Sequence, residues 1–312
     1  MDSRRIGPLD VSVVGVGCNN FGARLDAAGT AAVVEAALDA GITLFDTADI
    51  YGGGESETFL GRALKGRRTA AIIATKFGHR SAGALAGGRP EIVRRAAEAS
   101  LRRLGVDCID LYQLHQPDPD VPIAETLGAL NELVLAGKVR AIGVSNFDVT
   151  ALREAEAAAG AAGAAGVSPV VSVQNEYSLF HREPERGVLA ECARSGVAFL
   201  PYYPLANGLL TGKYRAGVPA PAGTRLSGGR YAPLHTPEHL DVVERLSTFA
   251  AERGHTLLEL AFSWLLSRSV VASVIAGAMT AEQVRANVAA SGWQLAPDDL
   301  AAVDAIVGAS VV

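Results

Sequence analysis

Short, almost wholly apolar runs recur along the chain, most ending on a polar or aromatic residue and most followed by a longer stretch with helical spacing. The runs fall at 13–17, 42–46, 71–76, 108–115, 139–145, 170–174, 197–202 and 270–275. Runs so short and so continuously apolar predict strands covered on both faces, as in a parallel sheet under helices. The intervening patterns predict helices over 30–40, 55–64, 90–104, 122–136, 150–159, 184–195, 238–253, 257–266, 281–289 and 297–307. Pro90 suits a first helical turn, and Gly41, Gly105 and Gly137 stand where helices should stop. Ahead of them, residues 4–14 (RRIGPLDVSVV) predict a small hairpin turning at Gly-Pro, and Gly160–Gly166 reads as a loose Ala/Gly connection.

Eight strand-helix units follow one another with no shift in composition, which predicts a single domain over residues 1–312. Their number and length fit a closed (β/α)8 TIM barrel with an N-terminal β-hairpin and extra C-terminal helices. An open doubly wound sheet is the alternative. Its dinucleotide fingerprint is missing, because Gly15, Gly17 and Gly22 have the wrong spacing.

Composition narrows the function. A hydrophobic share of 49% supplies a large core, and a net charge of −5 without any Lys/Arg-rich run argues against nucleic acid or an anionic membrane as partner. Cys18, Cys108 and Cys192 are odd in number and form no CxxC pair, against a disulfide scaffold or structural zinc and for a reducing compartment. The N-terminus has no apolar signal-like region and no run approaches 18 apolar residues, so a soluble, cytoplasmic protein is expected, and for want of a His/Asp ligand cluster no metal.

The strand ends carry the candidate chemistry. In order they deliver Asp46 and Tyr51, Lys76, His115, Ser145 and Asn146, Gln174, Tyr202 and Gly277 to the C-terminal mouth, where barrels keep their active sites. With four lysines against 24 arginines, a lysine at a strand end is seldom a generic surface charge. A tyrosine titrates near ~10. A neighbouring ammonium favours its phenolate, a carboxylate keeps that ammonium charged, and a histidine can orient a substrate oxygen. Asp46, Tyr51, Lys76 and His115 thus suit proton delivery to a carbonyl oxygen as hydride reaches carbon, and hydride requires a cofactor.

The motifs FDTADIYGGGESE (45–57), ATKFG (74–78), DLYQLHQPDPD (110–120), GKVRAIGVSNF (137–147), SVQNEYS (172–178), PYYPLANGLLTGKY (201–214) and IAGAMTAEQVRAN (275–287) resemble the aldo-keto reductases, in order and over nearly the whole chain. The resemblance implies NADPH-dependent reduction of a small-molecule aldehyde or ketone. Tyr51 would be the general acid, Lys76 and Asp46 its tuning pair, and His115 the orienting group. Ser145, Asn146 and Gln174 would hold the nicotinamide carboxamide, with Gly17, Asn19 and Asp46 beside it; Tyr202 or Tyr203 would stack on the ring. Pro204, Leu205, Gly208, Lys213 and Arg225 would wrap the pyrophosphate and ribose. Gly277, Ala278, Met279, Gln283 and Asn287 would receive the adenosine. Candidate substrate walls are Phe21, Tyr51, Phe77, His115, Gln116 and Tyr203, an aromatic mouth. Met279 stands where some branches place a basic residue against the 2′-phosphate, so NADPH is expected over NADH by a reduced margin. The rival reading is a regulatory subunit of the channel β-subunit type. His79, His181, His235, His239 and His255 are read as surface or loop residues.

Overall fold

A computed structural model describes residues 1–161 and 168–308. Eight parallel strands make the sheet: β3 (Val14–Gly17), β4 (Leu44–Asp46), β5 (Ile72–Phe77), β6 (Ile109–Leu114), β7 (Val139–Ser145), β8 (Val170–Glu176), β9 (Ala198–Tyr202) and β10 (Val274–Gly277). From β3 to β8 each pairs with its successor, and β10 pairs with β3. Residues 270–272 close the ring: Phe199 N donates to Val270 O at 2.7 Å and Ala272 N to Phe199 O at 3.0 Å. The strand expected at 270–275 is therefore divided, its first part bonding β9 and its second β3.

Helices surround the barrel: α1 (Ala27–Asp39), α2 (Glu55–Ala63), α3 (Pro90–Leu104), α4 (Ile123–Leu135), α5 (Val149–Ala161), α6 (Val188–Ser195), α7 (Pro237–Ala251), α8 (Leu257–Leu266), α9 (Ala281–Ala289) and α10 (Pro297–Gly308). Their ends follow local chemistry. Pro90 opens α3 and Gly105, with φ 65°, closes it, while Thr256 and Glu259 form a reciprocal capping box on α8. The helix expected over 184–195 is broken at Gly187 (φ 159°, ψ −34°) into a 3₁₀ turn and α6. The connection expected over 160–166 lies, beyond Ala161, outside the described residues.

Because strand side chains alternate, the sheet separates two cores. Phe45, Ile73, Phe77, Tyr112, Val144 and Val173 face the helices. Leu44, Ala74, Leu111, Ala141, Leu200 and Ile275 fill the barrel interior. The hairpin β1 (Ser3–Ile6) and β2 (Leu9–Ser12) adds Ile6, Leu9 and Val11 to that interior. It closes the end at which the strands begin, since Ser12 N bonds Thr43 Oγ1 and Arg4 donates to the carbonyls of Leu266, Arg268 and Val271. The opposite end is left open for a site. Among the described residues no helix is long and apolar enough to cross a membrane.

Candidate active site

Above the apolar interior, the same inward-facing positions turn polar. Asp46, Lys76, Gln113 and Gln174 are all buried there. The Lys76 ammonium donates to Asp46 Oδ2 at 2.6 Å and to Thr47 O at 2.9 Å, and lies 3.5 Å from Tyr51 Oη. Asp46 Oδ1 accepts from Gln174 Nε2 at 2.8 Å and Gln113 Nε2 at 3.3 Å, so the carboxylate is held on both oxygens. Burial works to lower the Lys76 ammonium, and Asp46, then Tyr51, more than offset it, leaving it above its usual value. Burial pushes the Tyr51 phenol up, and Lys76 only partly pulls it back. The net downward pull expected from the lysine is thus outweighed, and Tyr51 is protonated at neutral pH.

Tyr51 reaches this position through a turn that only glycine allows. Gly52, Gly53 and Gly54 follow it with φ of 58°, 65° and 96°, and a Cβ on Gly52 would lie 2.8 Å from Phe21 O. His115 stands edge-on to the Tyr51 ring at 6.1 Å. Burial, then the positive charge of Lys76 and neighbouring His79, pushes its pKa down to about 2, so its imidazole is neutral. At the next strand end Asn146 adopts φ 61°, donates to His115 O at 2.8 Å, and accepts from Tyr202 Oη at 2.9 Å. Ser145 Oγ donates to Gln174 O at 2.7 Å.

These groups open onto a cleft of about 1020 Å³, which extends past Gly17 and Asn19 and the segment Tyr203–Gly208 to Met279, Gln283 and Asn287. Tyr203, Ala206 and Asn207 hold positive φ of 50°, 45° and 58°, a run of strained backbone along the wall. Among the described residues Asn207 Oδ1 is buried there without a partner. Arg24, Lys213 and Arg225 bring positive charge. Arg225 donates to Asn20 Oδ1 at 3.1 Å and reaches Asn19 Oδ1 at 3.4 Å. At the far end Gln283 Oε1 accepts from Met279 N at 2.8 Å, and Thr280 caps α9. This cleft suits a long, anionic, partly aromatic ligand such as a dinucleotide.

Of the residues singled out from sequence, the cleft gathers Gly17, Asn19, Asp46, Tyr51, His115, Ser145, Asn146, Gln174, Tyr202, Tyr203, Pro204, Leu205, Gly208, Lys213, Arg225, Gly277, Met279, Gln283 and Asn287. Lys76 lies beneath its floor. Four expectations are corrected, for these residues lie outside the lining. Phe21 is buried in the outer core, and Phe77, alternating with inward Lys76, stacks on Tyr112 at 4.7 Å under the helices. Ala278 likewise points into the outer core. Gln116 lies outside the lining, its amide beside Arg80 once its oxygen and nitrogen are exchanged. The substrate end is consequently less aromatic than expected. Among the lining or supporting groups that were missed are Arg24, Ser81, Asn207, Gln113 and His79. Gln113 shares strand parity with His115, a readable signal; His79, read as a surface residue, packs on His115 at 4.8 Å and lines the cleft.

Known proteins resemble this chain over nearly its whole length. Residues 13–307 match the model of the Aldo/keto reductase family. The chain is 36% identical over 280 residues to aldo-keto reductase yakc [NADP(+)] of Schizosaccharomyces pombe, covering 85% of this chain and 79% of that protein. It is 35% identical over 319 residues to aldo-keto reductase str7 of Strobilurus tenacellus, covering 97% and 91%. Among solved structures, the glycerol dehydrogenase AKR11B4 from Gluconobacter oxydans superposes with a TM-score of 0.85 at 31% identity, covering 99% of this chain and 96% of that one.

Proposed function

This chain belongs to the aldo/keto reductase family of oxidoreductases, and on that premise we propose that it reduces an aldehyde or ketone with NADPH, Tyr51 delivering the proton. The observation that carries the reading is the buried chain Asp46–Lys76–Tyr51, facing the cleft beside a neutral histidine. A bound nicotinamide supplies the hydride. Ser145, Asn146 and Gln174 hold its carboxamide, and Tyr202, tied to Asn146, walls that end. The left-handed stretch around Asn207, together with Lys213 and Arg225, receives the pyrophosphate.

At the reacting end Tyr51 and His115 each place a donor on the carbonyl oxygen. Tyr51, protonated in the resting enzyme, gives its proton to that oxygen as charge develops on it. The phenolate left behind forms 3.5 Å from the Lys76 ammonium, which stabilises it. Asp46 keeps that ammonium charged and aimed, and Gln113 and Gln174 keep Asp46 aimed. His115, neutral across the working range, orients the oxygen without competing for the proton. In the reverse direction Tyr51 receives the proton from the alcohol.

NADPH is preferred to NADH by a modest margin. The adenosine end presents Met279, Thr280 and Gln283 rather than a cation, while Arg225 sits over Asn19 and Asn20. A charge-assisted hydrogen bond contributes roughly 1.5–3 kcal/mol, so its lack removes about ten- to a hundredfold of discrimination. The test is Tyr51→Phe. Turnover should fall on the order of 10²–10⁴-fold, with NADPH affinity, read by fluorescence quenching, nearly unchanged. Near-wild-type turnover with a reactive aldehyde would sink the acid assignment, and tighter binding of NADH than NADPH would overturn the cofactor.

A further inference from the structure

Two polar atoms beneath the cleft are left over by the proton chain. Gln113 points into the barrel and donates its amide N–H to Asp46 Oδ1 at 3.3 Å. An ionised carboxylate only accepts, so this orientation turns the amide oxygen away from Asp46. Among the described residues Gln113 Oε1 has no hydrogen-bond partner, although the residue is wholly buried. Two strands on, Ser172 is also wholly buried, and its Oγ has no partner either. An unpaired polar atom in the interior forfeits its hydration with nothing in return, so two of them side by side need a common explanation.

A glycine brings them together. Gln113, Gly143 and Ser172 stand level on β6, β7 and β8, Gln113 paired with Gly143 and Gly143 with Ser172. A Cβ on Gly143 would lie 2.5 Å from Ser172 Oγ, 2.9 Å from Gln113 Cγ and 3.3 Å from Gln113 Oε1. Both groups therefore face the space that the missing side chain leaves. One is a hydroxyl with a proton to give, and the other is an amide oxygen that can only accept. Gln174, the second donor on Asp46 Oδ1, lines the cleft and is shared with the nicotinamide carboxamide in the reading above. Gln113 lies outside the lining, and its amide serves Asp46.

We propose that Ser172 is a positioning residue for the reaction: its hydroxyl pairs with Gln113 Oε1 across Gly143, directly or through a single water, and so holds the Gln113 amide on Asp46. The inference rests on the carbonyl-reductase reading above. It lengthens the buried chain Asp46–Lys76–Tyr51 by two members, neither of which touches substrate or cofactor. With Oε1 engaged, the amide cannot turn its oxygen towards the carboxylate, which that oxygen would repel. Asp46 then keeps the Lys76 ammonium beside Tyr51, where the phenolate forms.

Two variants and their combination test it, with 4-nitrobenzaldehyde as the aldehyde. Ser172→Ala should lower kcat about two- to fivefold and Gln113→Leu about three- to tenfold, while NADPH affinity, read by fluorescence quenching, stays nearly unchanged in both. The solvent deuterium isotope effect on kcat should rise in each, because proton transfer from a less well held Tyr51 limits turnover more. In the Gln113→Leu background Ser172→Ala should cost nothing further, since the serine acts through the glutamine. Ser172→Ala removes a single oxygen and carries the test alone where Gln113→Leu does not fold. An equal fall in both backgrounds, or an unchanged kcat and isotope effect in Ser172→Ala, overturns the pairing and leaves the reductase reading standing. No NADPH oxidation by the wild type with any carbonyl defeats that reading, and the role of Ser172 with it.

Discussion

Asp49 is the one carboxylate of the Asp46–Tyr51 segment that the proton chain leaves out. It is buried, among the described residues neither of its oxygens has a side-chain partner, and burial, then Glu57 close by, raises its pKa to about 7 despite Arg103, the Ile50 amide and Lys76. Folded Asp49 therefore keeps a proton that the unfolded chain loses near ~3.9, so stability falls as pH rises from about 4 to about 7 and stays reduced above it. At about 1.36 kcal/mol per pH unit the loss is up to about 4 kcal/mol. Asp49→Asn should gain stability relative to wild type as pH is raised from 4.5 to 8, read as the difference in urea midpoints at each pH. A constant difference would mean that Asp49 is already ionised in the fold. At this scale the sequence was legible where strand ends meet polar residues. Tyr51, Lys76 and His115 stand out against apolar runs. Phe77 was misread because adjacent strand residues face opposite ways, and the inward place was already taken by Lys76. His79 left no such trace, since its placement depends on the Gly78 turn and on the cap it forms with Ser81.

Elements hold the reacting groups through close approaches that period and propensity do not display. Gly61, midway along α2, faces the end of α3, where a Cβ would come within 2.0 Å of Leu104 O. That contact lets α2 lie against α3, and the same helix pair shares the ion pair of Glu57 with Arg103, while Thr75 of β5 donates to Glu57 at 2.6 Å. Gly61→Ala adds helix propensity, at most about 1 kcal/mol. The backbone clash should win, for a net loss of about 1–3 kcal/mol in a denaturant titration; a stabilised variant would show that α2 moves freely. Helix ends were legible where Pro90 and Gly105 act locally, whereas the capping box of Thr256 and Glu259 emerged only in the fold. The break at Gly187 was not legible, and neither was the division of residues 270–277 between two neighbouring strands, which is decided by where the closing barrel needs its hydrogen bonds.

For the whole molecule, the barrel's two ends have opposite tasks. One carries the cleft; the other is sealed by the hairpin, whose Ile6, Leu9 and Val11 complete the apolar interior beneath the polar layer of Asp46, Lys76, Gln113 and Gln174. The sequence announced a hairpin but not its role as a plug, since Gly-Pro and alternation speak of a turn and not of what it covers. We propose that residues 1–312 form one domain, as the outer core shared from Val13 to Val307 suggests. Leu9→Ala tests this from the end remote from the chemistry. Emptying a fully buried leucine site should cost about 2–5 kcal/mol, and kcat of the remaining folded enzyme should hold, because the hairpin closes the end of the barrel opposite the cleft. Were the hairpin a separate appendage, the loss would appear as an early local transition, with barrel ellipticity surviving. In a single domain, aromatic and backbone circular dichroism shift to lower denaturant together. Separated transitions would divide the chain into more than one unit.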